Sequence, residues 1–429
     1  MTKPGNFRWT SPAWWFVGAG VLLGILYAGS LHPADLMGGW WEPSAALAER
    51  WAAMQATLAL CLLLTGFGLV FLRGTGAHLS AAVATVAPAR RALLLAVLAT
   101  VAALLAQFLL FDNIPHVTDA ISHMFQAKLL AEGRLTAPLP PCPDLFFQHH
   151  IAMTTDGRWF TKYTPGHPLL LALGLVTRTH SLMVPLAHGL ATLALYLLVR
   201  RLGAASRAGW TALLFALSPL AVLLGGSFMS HTTFLAVALL SGWGLTCLFT
   251  HEARSRWITA LGTGFGLGYL ILIRPQDAVL ALLVMAAGVV LAGPVYWRRI
   301  IPVGLMLVPG ALPPLAVGLI WNHALYGQAL AIGYGFTQTN FIFPMFQAQY
   351  GFSELFTVHD AWRQTLLSLY RLDHVALGWP VTLPWLAWML NPRRWERADA
   401  HALLAVLGVV ALYFPYSYYG LEYEARYYY

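Results

Sequence analysis

Long apolar stretches dominate this sequence, and they constrain the fold more than any other feature. A helix needs about 20 mostly apolar residues to cross the hydrocarbon core of a membrane. Eleven stretches come close to that length, near residues 12–30, 51–72, 92–111, 181–199, 209–226, 232–249, 257–273, 276–293, 301–321, 374–390 and 401–419. Charged residues make up only 10% of the 429 residues, whereas a soluble domain carries about 25%. We therefore predict an all-α polytopic membrane protein, folded as one domain over residues 1–429, and we exclude soluble, disordered and fibrous proteins.

The distribution of basic residues predicts how these helices are oriented. We expect the first stretch to be a retained helix, because no A-x-A-like cleavage site follows a short apolar core. The apolar run at 168–176 is too short to cross, so we place it in the membrane interface. With the N-terminus in the cytoplasm, the inner segments then hold 15 of the 25 Lys and Arg residues, as the positive-inside rule requires. If the short run crossed instead, Arg200, Arg201 and Arg207 would move outside.

Two long loops lie on the outer side in this topology, at about 112–180 and 322–373. Compact connections are typically about 4–6 residues long, so we predict that these loops carry interfacial helices and the function of the protein. The formal net charge of +8 follows from the basic inner segments. We therefore predict membrane lipids as partners and no nucleic acid.

The first outer loop begins with the pattern of an amphipathic helix, from Thr118 to Gly133. Asp119, His123 and Gln126 fall on one side of this helix, by i, i+4 and i+7 spacing. Asp119 lies in the first turn, where the helix macrodipole favours an ionised carboxylate. Such a carboxylate, facing a cavity at the membrane surface, suits a general base that takes a proton from a hydroxyl. The alternative is a simple helix cap.

Charged residues later in the same loop are candidates for binding a lipid phosphate. Asp156 and Gly157 predict a turn, and Arg158 and Lys162 follow it near the expected lipid surface. The alternative for both cations is ordinary anchoring at the interface. His116, His123, His149, His150 and His167 in this loop are possible metal ligands. We nevertheless predict no structural metal, because the sequence has no H-E-x-x-H motif and no paired cysteines.

Two stretches of this loop resemble the first outer loop of GT-C superfamily glycosyltransferases. They run from Asp119 to Pro138 and from Asp156 to Gly174. Within the superfamily they look closest to the protein O-mannosyltransferase and aminoarabinose-transferase-like group of bacterial membrane proteins. Four later segments agree with this resemblance, namely Ser227–Phe234, Leu272–Ala278, Trp321–Tyr334 and Glu424–Tyr429.

The resemblance implies a GT-C-like bundle and an inverting glycosyltransferase of the bacterial inner (plasma) membrane. Such an enzyme takes a sugar from a polyprenyl-phosphate donor and places it on a lipid, glycan or protein acceptor at the extracytoplasmic face, without a cofactor. The acid of the family's first loop matches Asp119, which would be the general base. Lys162 and Arg274 match cations that would bind the donor phosphate. The other residues that we expect to contact the donor or the substrate are Arg158, His123, Gln126, Tyr163 and Arg426.

The sequence departs from the family pattern at three points of the first loop. Ala120 follows Asp119 where many relatives have a second acid, which leaves one base and weakens a metal-dependent mechanism. His123 replaces a tyrosine, and Thr164 replaces the first proline of a Pro-Pro pair. Relatives usually continue into further helices beyond the position of Tyr429, so we expect the sequence to be truncated at its C-terminus.

Two other functions stay open at this point. A secondary transporter or lipid flippase would also use charges at membrane depth, although we find no internal repeat of the kind that transporters carry. A catalytically inactive relative would act as a scaffold in an envelope complex. For Arg274 itself, the alternative to phosphate binding is mutual neutralisation with Asp277 in a short turn.

Overall fold

A computed structural model describes residues 87–148, 150–205, 207–250, 255–331, 356–375 and 397–417, together with Gly333, Phe352 and Glu354. The helices are, in chain order, α1 (Pro88–Leu109), α2 (Thr118–Ala131), α3 (Gly166–Val176), α4 (His180–Arg201), α5 (Ala208–Leu217), α6 (Pro219–Gly226), α7 (Ser230–Phe249), α8 (Arg256–Ile273), α9 (Pro275–Ala292), α10 (Pro294–Trp297), α11 (Ile300–Tyr326), α12 (Val358–Val375) and α13 (Arg397–Tyr413). Three strands lie between α2 and α3, namely β1 (Ala137–Pro138), β2 (Ile151–Met153) and β3 (Arg158–Thr161).

Six of the described helices are long and apolar enough to cross a membrane, namely α1, α4, α7, α8, α9 and α11. They correspond to six of the predicted stretches, and the mostly helical chain is compatible with an all-α membrane protein. The stretches 12–30 and 51–72 and nearly all of 374–390 lie outside the described residues. Stretch 401–419 corresponds to α13, which is shorter than a full span. The total of eleven helices therefore stays a prediction.

The stretch 209–226, predicted as a membrane span, is not one continuous helix. It forms α5 and α6, which meet at an angle of 58°. The break falls at Pro219, which has no N–H to donate and disfavours helical backbone at the preceding residue. Ser218 is accordingly non-helical, with ψ of 123°, and its hydroxyl accepts a hydrogen bond from the backbone N–H of Ala221.

Glycines allow α8 and α11 to pack with their backbones in direct contact. A Cβ atom at Gly264 would lie 2.1 Å from the carbonyl oxygen of Leu307, and one at Gly310 would lie 2.2 Å from that of Leu261. Neither contact leaves room for a side chain, so both positions require glycine. Small residues serve close packing between membrane helices in the same way. This packing fixes α8, whose C-terminal end leads directly into Arg274.

The first loop contains a small antiparallel sheet in the order β1-β3-β2. Ala152 pairs with Phe160 in the centre of the β2–β3 hairpin. The predicted turn closes this hairpin, since Gly157 has a φ of +85°, a conformation that glycine adopts without strain. The strands themselves were not predicted, because two to four residues are too few for a period-2 pattern to be recognised.

The chain divides into two compact units. The first comprises residues 1–90 and 362–395, of which the structure describes 87–90 at the start of α1 and 362–375 within α12. The second comprises residues 91–361 and 396–429. All contacts discussed below lie within this second unit.

Candidate functional site

Asp119 lies in the first turn of α2, and its carboxylate reaches across the loop. The hydroxyl of Tyr163 donates a hydrogen bond to its Oδ1 atom. Its Oδ2 atom lies 3.9 Å from Nε2 of His150, and the side chain is 16% exposed. The N-cap residue is Val117, and its side chain makes no cap hydrogen bond. Asp119 is therefore not the N-cap residue of α2, and its carboxylate contacts other residues of the first loop.

His123 lies one turn further along α2 and is almost completely buried, with 3% exposure. Its ring centroid is 4.5 Å from that of Tyr163 and 4.9 Å from that of His167. Burial holds the pKa of His123 well below its ordinary value, and the neighbouring His167 lowers it further, while Asp119 opposes the shift. The ring is therefore neutral at pH 7. Its Nδ1 atom has no hydrogen-bond partner among the described residues.

We refer to Asp119, His123, His150 and Tyr163 as the Asp119 cluster. Two elements supply its members, because α2 carries the first two residues, while the other two flank the β2–β3 hairpin. The cluster combines one carboxylate, one phenol and two imidazoles.

Gln126 holds these two elements together. Its amide nitrogen donates to the Leu135 carbonyl over 2.8 Å, and its amide oxygen accepts a hydrogen bond of 3.1 Å from the backbone N–H of Thr161. The residue is fully buried, and loss of either bond would leave a buried polar group unpaired. The structure thus gives Gln126 a positioning role, and direct contact with a donor stays a prediction.

Lys162 follows β3 and is buried, with only 2% exposure. Its Nζ atom lies 5.4 Å from the ring centroid of Tyr163, within the range of a cation–π interaction. Its backbone is fixed on both sides, since its N–H donates to the His150 carbonyl and its own carbonyl accepts from the Tyr326 hydroxyl. An amine enclosed by protein in this way does not fit the alternative of lipid anchoring.

The turn after Tyr163 docks on the C-terminal end of α8. The Thr164 hydroxyl donates to the Ile273 carbonyl over 3.1 Å, and the Tyr269 hydroxyl donates to the Gly166 carbonyl over 2.6 Å. A Cβ atom at Gly166 would lie 2.7 Å from the carbonyl carbon of Leu272, so the close approach requires glycine. The threonine that departs from the Pro-Pro pattern therefore pairs a carbonyl at the end of α8.

Arg274 stands between α8 and α9, and its side chain contacts polar groups from three described residues. Its Nε atom pairs with Asp277, its Nη1 atom lies 3.2 Å from Nε2 of His231, and its Nη2 atom donates to the Tyr413 hydroxyl over 3.0 Å. The Tyr413 hydroxyl in turn donates to Asp277. We call these four residues the Arg274 network. The pairing of Arg274 with Asp277 agrees with the alternative of mutual neutralisation. The charge of Arg274 nevertheless also lowers the pKa of His123.

His167, near the start of α3, joins the first loop to α7. One ring nitrogen lies 3.1 Å from the Thr233 hydroxyl and the other 3.0 Å from the Phe228 carbonyl. Burial lowers the pKa of His167 to about 4, so this ring is also neutral at pH 7. The same segment of α7 carries His231 of the Arg274 network. These contacts bring the N-terminal end of α7 next to the Asp119 cluster.

One predicted site residue, Arg158, is not brought to Asp119. Arg158 pairs with Asp156 over 2.8 Å, and its guanidinium lies within 3.5 Å of the Ala324 and Leu325 carbonyls. It therefore fastens the hairpin to the end of α11. Arg426 lies outside the described residues.

Sequence reasoning considered His150 and His167 only as possible metal ligands, and it gave no role to His231 and Tyr413. Only the segment Ser227–Phe234, quoted for its resemblance, pointed towards α7, and it gave His231 no role. In the parts of the chain that the structure describes, no group of three or more His, Cys, Asp or Glu side chains could hold a metal ion.

The assembled site offers one carboxylate that can accept a proton, the neutral rings of His123 and His167, and the cations Lys162 and Arg274. Comparison with protein-family models, with curated proteins and with solved structures gave no match for this chain.

Proposed function

We propose that this protein is a GT-C-like membrane glycosyltransferase. It transfers a sugar from a polyprenyl-phosphate donor to the hydroxyl of a lipid, glycan or protein acceptor, at the extracytoplasmic face of a bacterial inner membrane. The observation that supports this proposal best is the Asp119 carboxylate, which accepts a hydrogen bond from Tyr163 and lies in a cluster with the neutral ring of His123. The Nζ atom of Lys162 lies 5.4 Å from the Tyr163 ring, and the charge of Arg274 acts on His123.

The chemistry of an inverting transfer matches this set of side chains. The acceptor hydroxyl must lose its proton as its oxygen bonds to the sugar C1, and a carboxylate beside that oxygen acts as general base. The lipid phosphate leaves with its negative charge, so no acid has to protonate it. Lys162 and Arg274 stabilise that charge, Arg274 as a planar fork that matches phosphate geometry.

The direct test is transfer by the purified protein. A radiolabelled polyprenyl-phosphate sugar is supplied with envelope lipids or peptides that carry free hydroxyls, and the labelled product is identified by mass spectrometry. In parallel, glycolipids from a deletion strain should lack one sugar that the parent strain carries. An unchanged glycan profile together with no transfer in vitro would contradict the proposal.

Topology provides an independent prediction. Cys142 is exposed in the first loop, whereas Cys247 is buried. In a variant with Cys61 and Cys247 replaced by serine, a membrane-impermeant maleimide should label Cys142 on intact cells or spheroplasts. With Cys142 also replaced, cysteines introduced at Arg200 or Arg298 should react only after permeabilisation. Labelling of position 200 from outside would overturn the whole orientation.

Donor binding gives a further prediction. Lys162→Met and Arg274→Met remove a charge while retaining an apolar stem, and each should weaken donor binding about 10- to 100-fold, because a hydrogen bond to a charged group contributes about 1.5–3 kcal/mol. The measurement is binding of the labelled donor to purified protein in detergent.

A paired variant separates donor binding from stability at Arg274. The single change leaves Asp277 without its guanidinium partner, and removing one partner of a largely buried pair is strongly destabilising. Arg274→Met combined with Asp277→Asn should regain most of the lost thermal stability but none of the donor affinity. Unchanged donor affinity in both Lys162→Met and Arg274→Met would leave these cations with structural roles only.

The broken helix pair α5–α6 favours a second candidate, a secondary transporter or flippase, because discontinuous helices form binding sites in transporters. The described contacts at this break involve neutral groups. Ser218 bonds to Ala221, and Nε2 of His188 lies 3.3 Å from the Ala216 carbonyl oxygen. A transporter would move labelled polyprenyl-phosphate sugar across proteoliposomes without cleaving it, which the transfer assay distinguishes.

A further inference from the structure

We propose that His150 takes over the proton that Asp119 removes from the acceptor and delivers it to solvent. This inference rests on the proposed glycosyl transfer, and it gives a catalytic role to a residue that the resemblance left without one.

The two oxygens of Asp119 have different surroundings. Oδ1 accepts the hydrogen bond from the Tyr163 hydroxyl, whereas Oδ2 faces Nε2 of His150 at 3.9 Å. That distance is too long for a direct hydrogen bond. It does allow one oxygen atom to lie about 2.8 Å from each group in a bent arrangement. An acceptor hydroxyl, or a water molecule after transfer, thus contacts both groups at once.

His150 is held in this position by hydrogen bonds on both sides of its backbone. Its N–H donates to the side-chain oxygen of Gln148 over 2.8 Å, and its carbonyl accepts a hydrogen bond from the Lys162 N–H. Gln148 in turn donates to the carbonyl of Thr118, the residue before Asp119. The imidazole and the carboxylate are therefore tied to the same turn of α2, which keeps their separation short.

Exposure distinguishes His150 from the other histidines near Asp119. Its side chain is 15% exposed, whereas His123 and His167 are 3% and 0% exposed. A buried neutral ring has no direct contact with water to which it could release a proton. A partly exposed histidine has that contact, and an imidazole is the side chain best suited to take up and release a proton near neutral pH.

The proton balance of the step is simple. As the acceptor oxygen bonds to C1, its proton moves to Oδ2 of Asp119, and the electron pair of the broken C1–O bond leaves with the lipid phosphate. The proton then passes from Asp119 through the bridging water to Nε2 of His150. The resulting imidazolium releases it from Nε2 to water, because Nδ1 is buried. Among the described residues, Asp119, Tyr163 and His123 lie around this ring, and the carboxylate stabilises the imidazolium.

The test compares three variants of the full-length protein with the wild type in the transfer assay. His150→Ala and His150→Gln should both lower kcat about 10- to 100-fold, at the low end of general acid–base effects, with donor affinity unchanged. Glutamine can keep hydrogen bonds but cannot carry a proton. Added imidazole should restore part of the activity of His150→Ala, and it should restore more at higher pH, where more of the added imidazole is unprotonated.

His116→Ala is the matched control, because His116 is exposed in the same loop and bonds only to the Phe111 carbonyl among its described polar contacts.

The outcomes distinguish the proton transfer through His150, which we call the relay, from the proposed glycosyl transfer. Normal turnover in His150→Gln, or a loss in His150→Ala that imidazole does not restore at any pH, would overturn the relay. If Asp119→Asn is inactive in the same assay, the glycosyl transfer still stands. Failure of the wild-type protein to transfer sugar at all would overturn the function and the relay together.

Discussion

Replacement of Asp119 by asparagine is expected to lower kcat about 10²- to 10⁴-fold, the usual contribution of a general base. Asparagine has nearly the same size and still accepts the Tyr163 hydrogen bond, but it cannot take a proton from the acceptor. Donor affinity should therefore survive, and the loss should appear in kcat and kcat/KM alike. Single-turnover transfer with saturating donor measures the chemical step directly.

Two further variants make this prediction specific. Asp119→Glu moves the carboxylate by one methylene and should recover only part of the rate. Asp156→Asn is the matched control in the same loop, because Asp156 is more than half exposed and pairs with Arg158, while a hydrogen bond from Thr154 lowers the pKa of its carboxyl. We expect Asp156→Asn to keep normal turnover.

Near-normal turnover in Asp119→Asn would mean that the base lies elsewhere, with Asp156 the next candidate.

Substitution of Gly166 by alanine should have the next largest effect, a fall in turnover on the order of 10²-fold. The added Cβ would meet backbone atoms of Leu272 at 2.7 Å, and backbone cannot rotate away as a side chain would. The turn that carries Tyr163 must then move away from α8. A displacement of about 1 Å in a positioned group costs roughly 10²-fold in rate, and overpacking typically destabilises by about 1–3 kcal/mol.

Gly262→Ala is the control for this variant. Gly262 lies on α8, and a Cβ atom there would meet nothing within 4 Å, so neither turnover nor thermal stability should fall. Both variants are compared by transfer rate and by thermal unfolding in detergent. If Gly166→Ala matched the control in both measurements, the docking of the first loop on α8 would not be needed for activity.

Helix α2 shows how well a local pattern predicts local structure. A helix was expected from Thr118 to Gly133, and the observed helix runs from Thr118 to Ala131. Gly133 follows with a φ of +73°, the left-handed conformation that makes glycine a frequent residue after helices. Apolar periodicity and a terminating glycine are both contained in the segment itself, so the prediction needed no information from the rest of the chain.

The surroundings of α2 were much harder to predict. The polar side of an amphipathic helix usually faces water, yet His123 and Gln126 on this side are buried, while the apolar Ile121 is exposed. The polar side packs against the hairpin and α3. No periodic pattern within the sequence of α2 identifies these packing partners. His167 presents the same difficulty, since its partner Thr233 is 66 residues away.

Membrane helices were predicted from length and apolar composition, and six of them appear where they were expected. The bend between α5 and α6 was missed because an apolar run was counted without weighing the proline inside it. Pro219 alone was a sufficient signal, since proline removes one helical hydrogen bond and clashes with the preceding turn. The position of Arg274 after α8 was predicted, whereas its partners His231 and Tyr413 come from helices distant in sequence.

The hydrogen bond from Thr164 to Ile273 has a consequence for how the protein is made, because it joins residues 109 positions apart. At about 5–20 residues per second, the ribosome needs roughly 5–20 s to make the intervening chain. During this time Asp119 and Tyr163 have already been synthesised, but the end of α8 on which their loop docks does not yet exist. Asp119 is thus synthesised early, whereas the packing on α8 that orients its loop forms only after α8 has been made.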